Sequence, residues 1–322
     1  MGKPKVAFYW CASCGGCEEA VVDLNEGILP VVDAVDIVFW PVALDFKRKD
    51  VEHMQDGEIA VCFINGAVRT SEQEEMVKLL RKKSGLVVAF GSCAHLGGIP
   101  GLSNFTTREE TLHRAYLGVP SLSNIMEITP QEKTESEFGI LELPEFYNTV
   151  FTLDQVIDVD YYLPGCPPPV DLIVTAVTAI LEGKLPPKGT VLASKKTLCE
   201  TCERNKTKPE KLAIKEFKRV YEIDIDPEKC FLEQGLICLG PVTRGGCGER
   251  CIHGNMPCRG CFGTVDIVVD MGAKFLSALS SLIDSNDENE IKRIVGSIAD
   301  PAGTFYRFSL PASKLRRTRM EA

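Results

Sequence analysis

Three cysteine-bearing loops, each placed directly after a β-rich run, constrain this chain more than any other feature of its sequence. They are WCASCGGC at residues 10–17, FGSCAHLGGIPG at residues 90–101 and YYLPGCPPPV at residues 161–170. Ligands of parallel α/β sheets bind outside the carboxyl ends of the strands, so the three loops should meet at one edge. The thiols that would meet there, the first set, belong to Cys14, Cys17, Cys93 and Cys166.

The β-rich runs alternate with helical patterns in the first half of the chain. Strands are predicted at Lys5–Trp10, Val35–Phe39, Ile59–Ile64, Leu86–Phe90 and Val156–Tyr161. Helices are predicted at Glu18–Asn25, Ser71–Lys83 and Val170–Glu182. This alternation indicates an α/β fold with a doubly wound parallel sheet covered by helices on both faces.

The residue composition and pattern of the sequence change from LEGKLPPKGT, at residues 181–190, onward. Eight of the 14 cysteines lie between Cys199 and Cys261, among glycines and prolines. Helices are predicted there only at Lys208–Val220 and Val265–Ile283. Such a segment should have little room for an apolar core and should be held together by inorganic centres. We therefore predict two domains, residues 1–185 with the sheet and residues 186–322 with most of the cysteines.

The first set suits a tetrahedral zinc ion or a 4Fe-4S cluster, because both take four thiolates. Its surroundings favour the cluster, which is bulky and anionic and needs close backbone approach with N–H donors. The glycines that permit this approach are Gly15, Gly16, Gly91, Gly97, Gly98 and Gly165. The helix predicted just after Cys17 would favour thiolate charge through its positive end. Pro167 after Cys166 is also typical of ferredoxin ligand runs.

The eight cysteines of the second half divide into two further sets of four. The second set is Cys199, Cys202, Cys230 and Cys238, and the third set is Cys247, Cys251, Cys258 and Cys261. A zinc ribbon usually separates its C-x2-C pairs by about 15–20 residues, whereas the two such pairs here are 55 residues apart. Zinc and disulfides stay as alternatives, and the spacing favours clusters. Cys11 and Cys62 are left over and are interpreted as packed thiols, with an indirect role at the first set open to Cys11.

Composition and charge indicate where the protein is located and which class of partner it does not bind. The N-terminus, MGKPKVAFYW, is not a secretory signal, and no stretch reaches the ~18 apolar residues of a membrane span. A cytoplasmic location is therefore expected, where patterned thiols stay reduced and more often bind metal. The formal net charge of −9 argues against a nucleic-acid partner, and the basic end KLRRTRMEA is interpreted as a solvated tail.

The cysteine motifs, taken in order along essentially the whole chain, resemble the small, electron-transferring subunit of nickel-iron hydrogenases. They are CGGC, GSCAHLGGIPG, PGCPPP, CETC, CFLEQGLICLGP and MPCRGC. The ending GTFYRFSLPA and the length are most similar to the cytoplasmic methyl-viologen-reducing type, which works with heterodisulfide reductase. The resemblance implies a flavodoxin-like fold without flavin or nucleotide, a nickel-iron site on a separate large subunit, and a small iron-sulfur acceptor subunit and heterodisulfide reductase-type complex downstream.

Carried over by position, the resemblance assigns one cluster to each set. The first set would hold the proximal cluster nearest the large subunit, the third set the medial cluster and the second set the distal one. Periplasmic relatives have histidine where this chain has Cys199 and commonly proline near Cys251, so both departures imply three 4Fe-4S clusters. Glu18 is a possible proton relay, although a solvated or helix-capping carboxylate is favoured. The histidines that lie near cysteines and could donate to clusters are His95 and His253.

Under this resemblance the chain relays electrons between the catalytic large subunit and a downstream redox partner. One alternative is a relay whose large subunit lacks nickel, and another is a deazaflavin-reducing hydrogenase. A third is the cluster-bearing subunit of respiratory complex I, which carries one cluster and an adjacent Cys-Cys pair that this chain lacks. A zinc-stabilised interaction module is the non-redox alternative.

Overall fold

The computed structural model describes residues 2–317 and contains one large parallel sheet. The strands in chain order are β1 (Lys5–Trp10), β2 (Asp36–Phe39), β3 (Ile59–Asn65), β4 (Val68–Thr70), β5 (Ser84–Phe90), β6 (Lys133–Ser136), β7 (Gly139–Glu142), β8 (Phe146–Phe151), β9 (Tyr161–Leu163) and β10 (Thr190–Val191). Six of them pair in parallel in the order β2-β1-β3-β5-β9-β10. This is the strand order of a flavodoxin-like doubly wound sheet, so the predicted α/β fold class is confirmed.

Helices cover both faces of this sheet. They are α1 (Gly16–Val22), α2 (Ile28–Ala34), α3 (Arg48–Glu52), α4 (Ser71–Lys83), α5 (Gly91–Leu96), α6 (Arg108–Tyr116), α7 (Val170–Leu181), α8 (Leu198–Thr201), α9 (Arg250–His253), α10 (Met271–Ser280), α11 (Glu288–Gly296) and α12 (Pro301–Phe305). Side chains of α1, α2 and α7 pack on one face, and those of α3, α4 and α5 pack on the other. None of the helices within residues 2–317 has the length and apolar character needed to cross a membrane.

Helix α4 has the predicted bounds because its capping residues are present in the sequence. The Thr70 hydroxyl accepts the N–H of Gln73 at 3.3 Å, and the Gln73 side chain accepts the N–H of Thr70 at 3.2 Å. This reciprocal capping fixes the first turn. Met76, Val77 and Leu80 then recur on one face and are buried against the sheet.

The strand predicted at Val156–Tyr161 is wrong in its bounds, since β9 begins at Tyr161. Residues 153–155 instead form a 3-10 turn, whose start is fixed by the Gln155 side chain accepting the N–H of Thr152 at 3.1 Å. Helix α1 begins at Gly16 and ends at Val22, earlier than predicted at both ends. The shift at its start places Cys17 inside the first turn of the helix.

The helix predicted at Lys208–Val220 is absent from this described segment. Its backbone N–H groups bond distant carbonyls: Ile214 donates to Leu282 at 2.9 Å and Lys218 donates to Gly235 at 2.9 Å. The apolar residues of this segment, such as Ile214 and Phe217, pack into a separate core. The other residues of that core come from other segments of the second half. Of the helix predicted at Val265–Ile283, only Met271–Ser280 is helical, starting where the Asp270 side chain accepts the N–H of Ala273.

The second half has a substantial apolar core, contrary to the prediction that it would have little room for one. Its buried members include Phe217, Phe231, Leu236, Leu239, Phe275 and Phe305. The predicted domain boundary at residue 185 stays a prediction. Two segments that follow it in the chain contact the first half. Strand β10 joins the sheet, and the C-terminal segment returns to the loop after α5, with the Phe308 carbonyl accepting the N–H of Gly98 at 3.0 Å.

Candidate functional site

The first set of cysteines meets at the carboxyl edge of the sheet, as the strand pattern predicts. Cys14 and Cys17 follow β1, Cys93 lies in α5 after β5, and Cys166 follows β9. The last two loops are joined by the N–H of Ser92, which donates to the Gly165 carbonyl at 2.7 Å. Burial raises the pKa of Cys17 above its usual range, and neighbouring thiols raise it further. Those neighbours are Cys93, Cys166 and Cys14.

The backbone approaches two thiols of this set so closely that only glycine fits. A Cβ on Gly91, whose φ is +86°, would lie 2.4 Å from Cys17 Sγ. A Cβ on Gly98 would lie 2.4 Å from Cys93 Sγ. The site therefore combines four thiols with a glycine-lined backbone, the surroundings that a bulky anionic cluster requires.

The second set also meets in space, although its members come from two separate loops. The pKa of Cys199 is raised to about 12, by burial first and then by neighbouring thiols. Those neighbours are Cys238, Cys230 and Cys202. A Cβ on Gly240 would lie 3.1 Å from Cys199 Sγ, so glycine backbone approaches this set as well.

The third set gathers around Cys261. Burial raises the pKa of Cys261 to about 12, with further contributions from thiols of the first and third sets. Those thiols are Cys166, Cys251 and Cys247. Burial likewise raises the pKa of Cys258, to which Cys238 and Cys261 contribute. The structure thus brings together the members of each predicted set.

Two junctions connect the three sets in a row. At one, the Ser92 hydroxyl donates to the Cys261 carbonyl, and Cys166 is among the thiols that raise the pKa of Cys261. At the other, the N–H of Cys258 donates to Cys238 Sγ at 3.3 Å. The order in space is therefore first set, third set, second set.

Each set offers the four thiol donors that a 4Fe-4S cluster takes. Within residues 2–317, no three His, Cys, Asp or Glu side chains are close enough together to hold one metal ion. In donor chemistry and in backbone approach, the residues present fit clusters.

The two cysteines outside the sets are buried on the α4 face of the sheet. Cys62 lies in β3 with no exposed surface, and Cys11 follows β1, where its N–H donates to the Asn65 carbonyl at 2.8 Å. Burial raises the pKa of both thiols. These surroundings agree with the interpretation of both as packed side chains.

Glu18 is buried, which corrects the expectation of a solvated carboxylate. Its carboxylate accepts hydrogen bonds from the Trp40 indole and from the Asn65 amide, the latter at 2.6 Å. Burial raises the pKa of Glu18, and these two hydrogen bonds oppose the shift. Trp40 directly follows β2 and Asn65 ends β3, so both partners lie at strand ends next to the first set. In the sequence, only their place at the ends of predicted strands could have indicated that Trp40 and Asn65 contact Glu18.

We expect Glu18→Leu to destabilise the fold by roughly 2–5 kcal/mol, because it leaves two buried donors, on Trp40 and Asn65, without an acceptor. Glu18→Gln keeps one acceptor and should cost less. Thermal unfolding of the purified complex would measure both changes. The matched control is Glu19→Leu, the same substitution at the exposed next position, which should leave the melting temperature nearly unchanged. Equal losses at Glu18 and Glu19 would contradict the network.

The two candidate histidines differ in environment. His95 is packed on the Tyr162 ring, with ring centres 4.7 Å apart, and a Cβ on Gly263 would lie 3.5 Å from it. It therefore lies where the first and second halves of the chain meet. His253 is exposed at the end of α9.

Comparison with known proteins gives matches along the whole chain. The family described as "NADH ubiquinone oxidoreductase, 20 Kd subunit" matches residues 14–180. An F420-non-reducing hydrogenase iron-sulfur subunit of Archaeoglobus profundus is 42% identical over 317 residues, which cover 97% of this chain and 98% of the relative. A subunit of the F420-non-reducing hydrogenase of Methanothermobacter thermautotrophicus is 35% identical over 314 residues, covering 97% of this chain and 96% of the relative. A solved structure of a NiFeSe hydrogenase from Desulfovibrio vulgaris Hildenborough has a TM-score of 0.52, covering 83% of this chain and 95% of that chain, and at 19% identity this likeness concerns the fold alone.

Proposed function

This chain belongs to the family of F420-non-reducing hydrogenase subunits that these two relatives represent, and from that premise we propose that it relays electrons through three 4Fe-4S clusters, from a catalytic large subunit to a downstream redox partner. It is thus a subunit of an oxidoreductase complex. The observation that carries the proposal is the pair of junctions, Cys166 with Cys261 and Cys258 with Cys238, which connect three four-thiol sets in a row.

Each set has a proposed role in the relay. The first set would hold the proximal cluster, the third set the medial cluster and the second set the distal cluster. Bound clusters supply one-electron redox chemistry that no side chain of this chain can supply. The protein contributes position: Gly91 and Gly98 let the backbone approach the first set, and the Cys258 N–H donates to a thiol of the second set.

The comparisons also argue against two of the alternatives, the complex I subunit and the deazaflavin-reducing hydrogenase. The family of the 20 Kd subunit of NADH ubiquinone oxidoreductase matches residues 14–180 only, so a complex I interpretation leaves the eight cysteines of the second and third sets without a role. The relatives' names describe hydrogenases that do not reduce F420, which weighs against a deazaflavin acceptor.

We further propose the partners that the sequence resemblance implies. These are a nickel-iron large subunit beside the first set, and a small iron-sulfur subunit of a heterodisulfide reductase-type complex beside the second set. A cytoplasmic location is part of the proposal, since cluster ligands must be thiolates and reduced thiols persist there.

Metal analysis of the anaerobically purified native complex tests the proposal. We expect about twelve irons and twelve acid-labile sulfides attributable to this chain, from three cubanes. Nickel in the partner subunit would support hydrogen as the electron source, and the same iron without nickel would keep the relay and remove that source. Zinc with no labile sulfide would contradict the relay and favour an interaction module.

A further inference from the structure

A cleft of about 290 Å³ lies beside the junction of the second and third sets. Ile237, next to Cys238, lines one wall. Pro257 and Arg259, on either side of Cys258, line another. Because the Cys258 N–H bonds Cys238 Sγ, the cleft opens next to thiols of both sets.

The charges that line this cleft are all positive. They belong to Lys218, Arg219 and Arg259, and no aspartate or glutamate is among the lining residues. In the described part of the chain, none of the three side chains forms an ion pair. The nearby Glu222 carboxylate accepts the backbone N–H of Arg219 at 2.7 Å, a bond that leaves the guanidinium unpaired. We call these three residues the cationic cleft.

Positive charge extends from the cationic cleft towards the second set. Residues 206–219 carry six lysines and arginines against two glutamates, in a chain whose formal net charge is −9. This segment begins four residues after Cys202 of the second set. The net charge of this segment is therefore positive, opposite in sign to that of the whole chain.

We propose that the cationic cleft docks an acidic redox protein, an inference that rests on the proposed relay function. Opposite charge attracts such a partner and orients it during encounter. Tyr221, which lines the cleft and is 79% exposed, adds the kind of aromatic side chain that protein interfaces favour. In each event one electron leaves this subunit, which is oxidised, and reduces the docked protein, with no bond made or broken.

The test compares two charge-reversed forms of the native complex, with an acidic ferredoxin as the probe. The first is Lys218→Glu with Arg219→Glu, both at exposed positions. The matched control is Lys47→Glu with Lys49→Glu, the same charge change at exposed positions in the first half. Ferredoxin binding is measured without hydrogen, as an association rate constant at several salt concentrations. The cleft variant should lower this constant by at least about 10-fold at low salt and flatten its salt dependence, while the control changes it little.

Three outcomes would overturn the proposal: an unchanged constant, an equal loss in the control, or displacement of the ferredoxin by inorganic phosphate at constant ionic strength. The last would indicate a small-anion site. Hydrogen-dependent reduction of methyl viologen, a cationic dye, should persist in the cleft variant. Because binding is measured without electron flow, a failed relay with intact ferredoxin binding and a failed docking site with an intact relay give different results.

Discussion

Replacing Cys166 with serine should stop hydrogen-dependent reduction of viologen dye while hydrogen activation on the partner subunit continues. Cys166 has two roles in the proposed relay. It belongs to the first set, and it is the thiol through which that set meets Cys261 of the third set. Its loss should lower dye reduction by at least about 100-fold, since losing even an outer partner of a metal ligand commonly costs 10–100-fold.

Two readouts on the same preparation separate the relay from the catalytic site. Hydrogen-deuterium exchange reports activation on the large subunit, and viologen reduction reports electrons that have passed through this chain. The matched control is Cys62→Ser, the same change at a buried thiol outside the three sets, where the neighbouring Ser84 hydroxyl can pair with the new one. The control should keep dye reduction near the native rate. Unchanged dye reduction in Cys166→Ser would show that this thiol is not a ligand.

The first set could be predicted from sequence because it depends on local signals. Each of its cysteines follows a strand, and the ends of parallel strands share one edge of the sheet. Helix α4 could be predicted from sequence for the same reason, since Thr70 and Gln73 cap it reciprocally. In both cases the residues that determine the structure are close together in the chain or repeat at a fixed spacing.

The remaining features depend on contacts between distant segments, which the sequence pattern does not encode. The Lys208–Val220 segment has helix-like apolar spacing, yet its backbone bonds Leu282 and Gly235 and its apolar residues pack into the second core. The junction between Cys166 and Cys261 brings together opposite halves of the chain. Glu18 resembled a surface carboxylate because its two hydrogen-bond donors come from distant parts of the chain, Trp40 just after β2 and Asn65 at the end of β3.

The three sets also differ in how the protein holds them, which bears on the order in which they would assemble. The first set rests on the sheet, whose strands pair independently of any thiol. The second and third sets meet at Cys238 and Cys258, which are direct neighbours and belong to the apolar core of the second half. Disturbing the first set should therefore leave the other two largely intact, and a substitution that affects only the first set can test this.

Gly91→Ala is that substitution, and it should remove the iron of the first set while the other two sets stay loaded. The new methyl group would lie 2.4 Å from Cys17 Sγ, against a backbone with φ of +86°. The backbone strain alone costs roughly 1–2 kcal/mol. The clash is added to it, and it can be relieved only by moving the thiol or the α5 loop. We expect the complex to lose about four irons, those of one cubane, and to lose dye reduction with them.

Gly189→Ala separates the clash from the strain. Gly189 has φ of +85°, nearly the same as Gly91, and a Cβ placed on it meets nothing within 4 Å. It should therefore show the same backbone cost, visible as a lower melting temperature, with full iron and full dye reduction. Iron and sulfide content, measured beside thermal unfolding for both variants, decides the matter. If both variants lose iron equally, backbone strain is the cause and the close approach of Gly91 to Cys17 has no part in holding a cluster; if only Gly91→Ala does, the glycine cradle is part of the site.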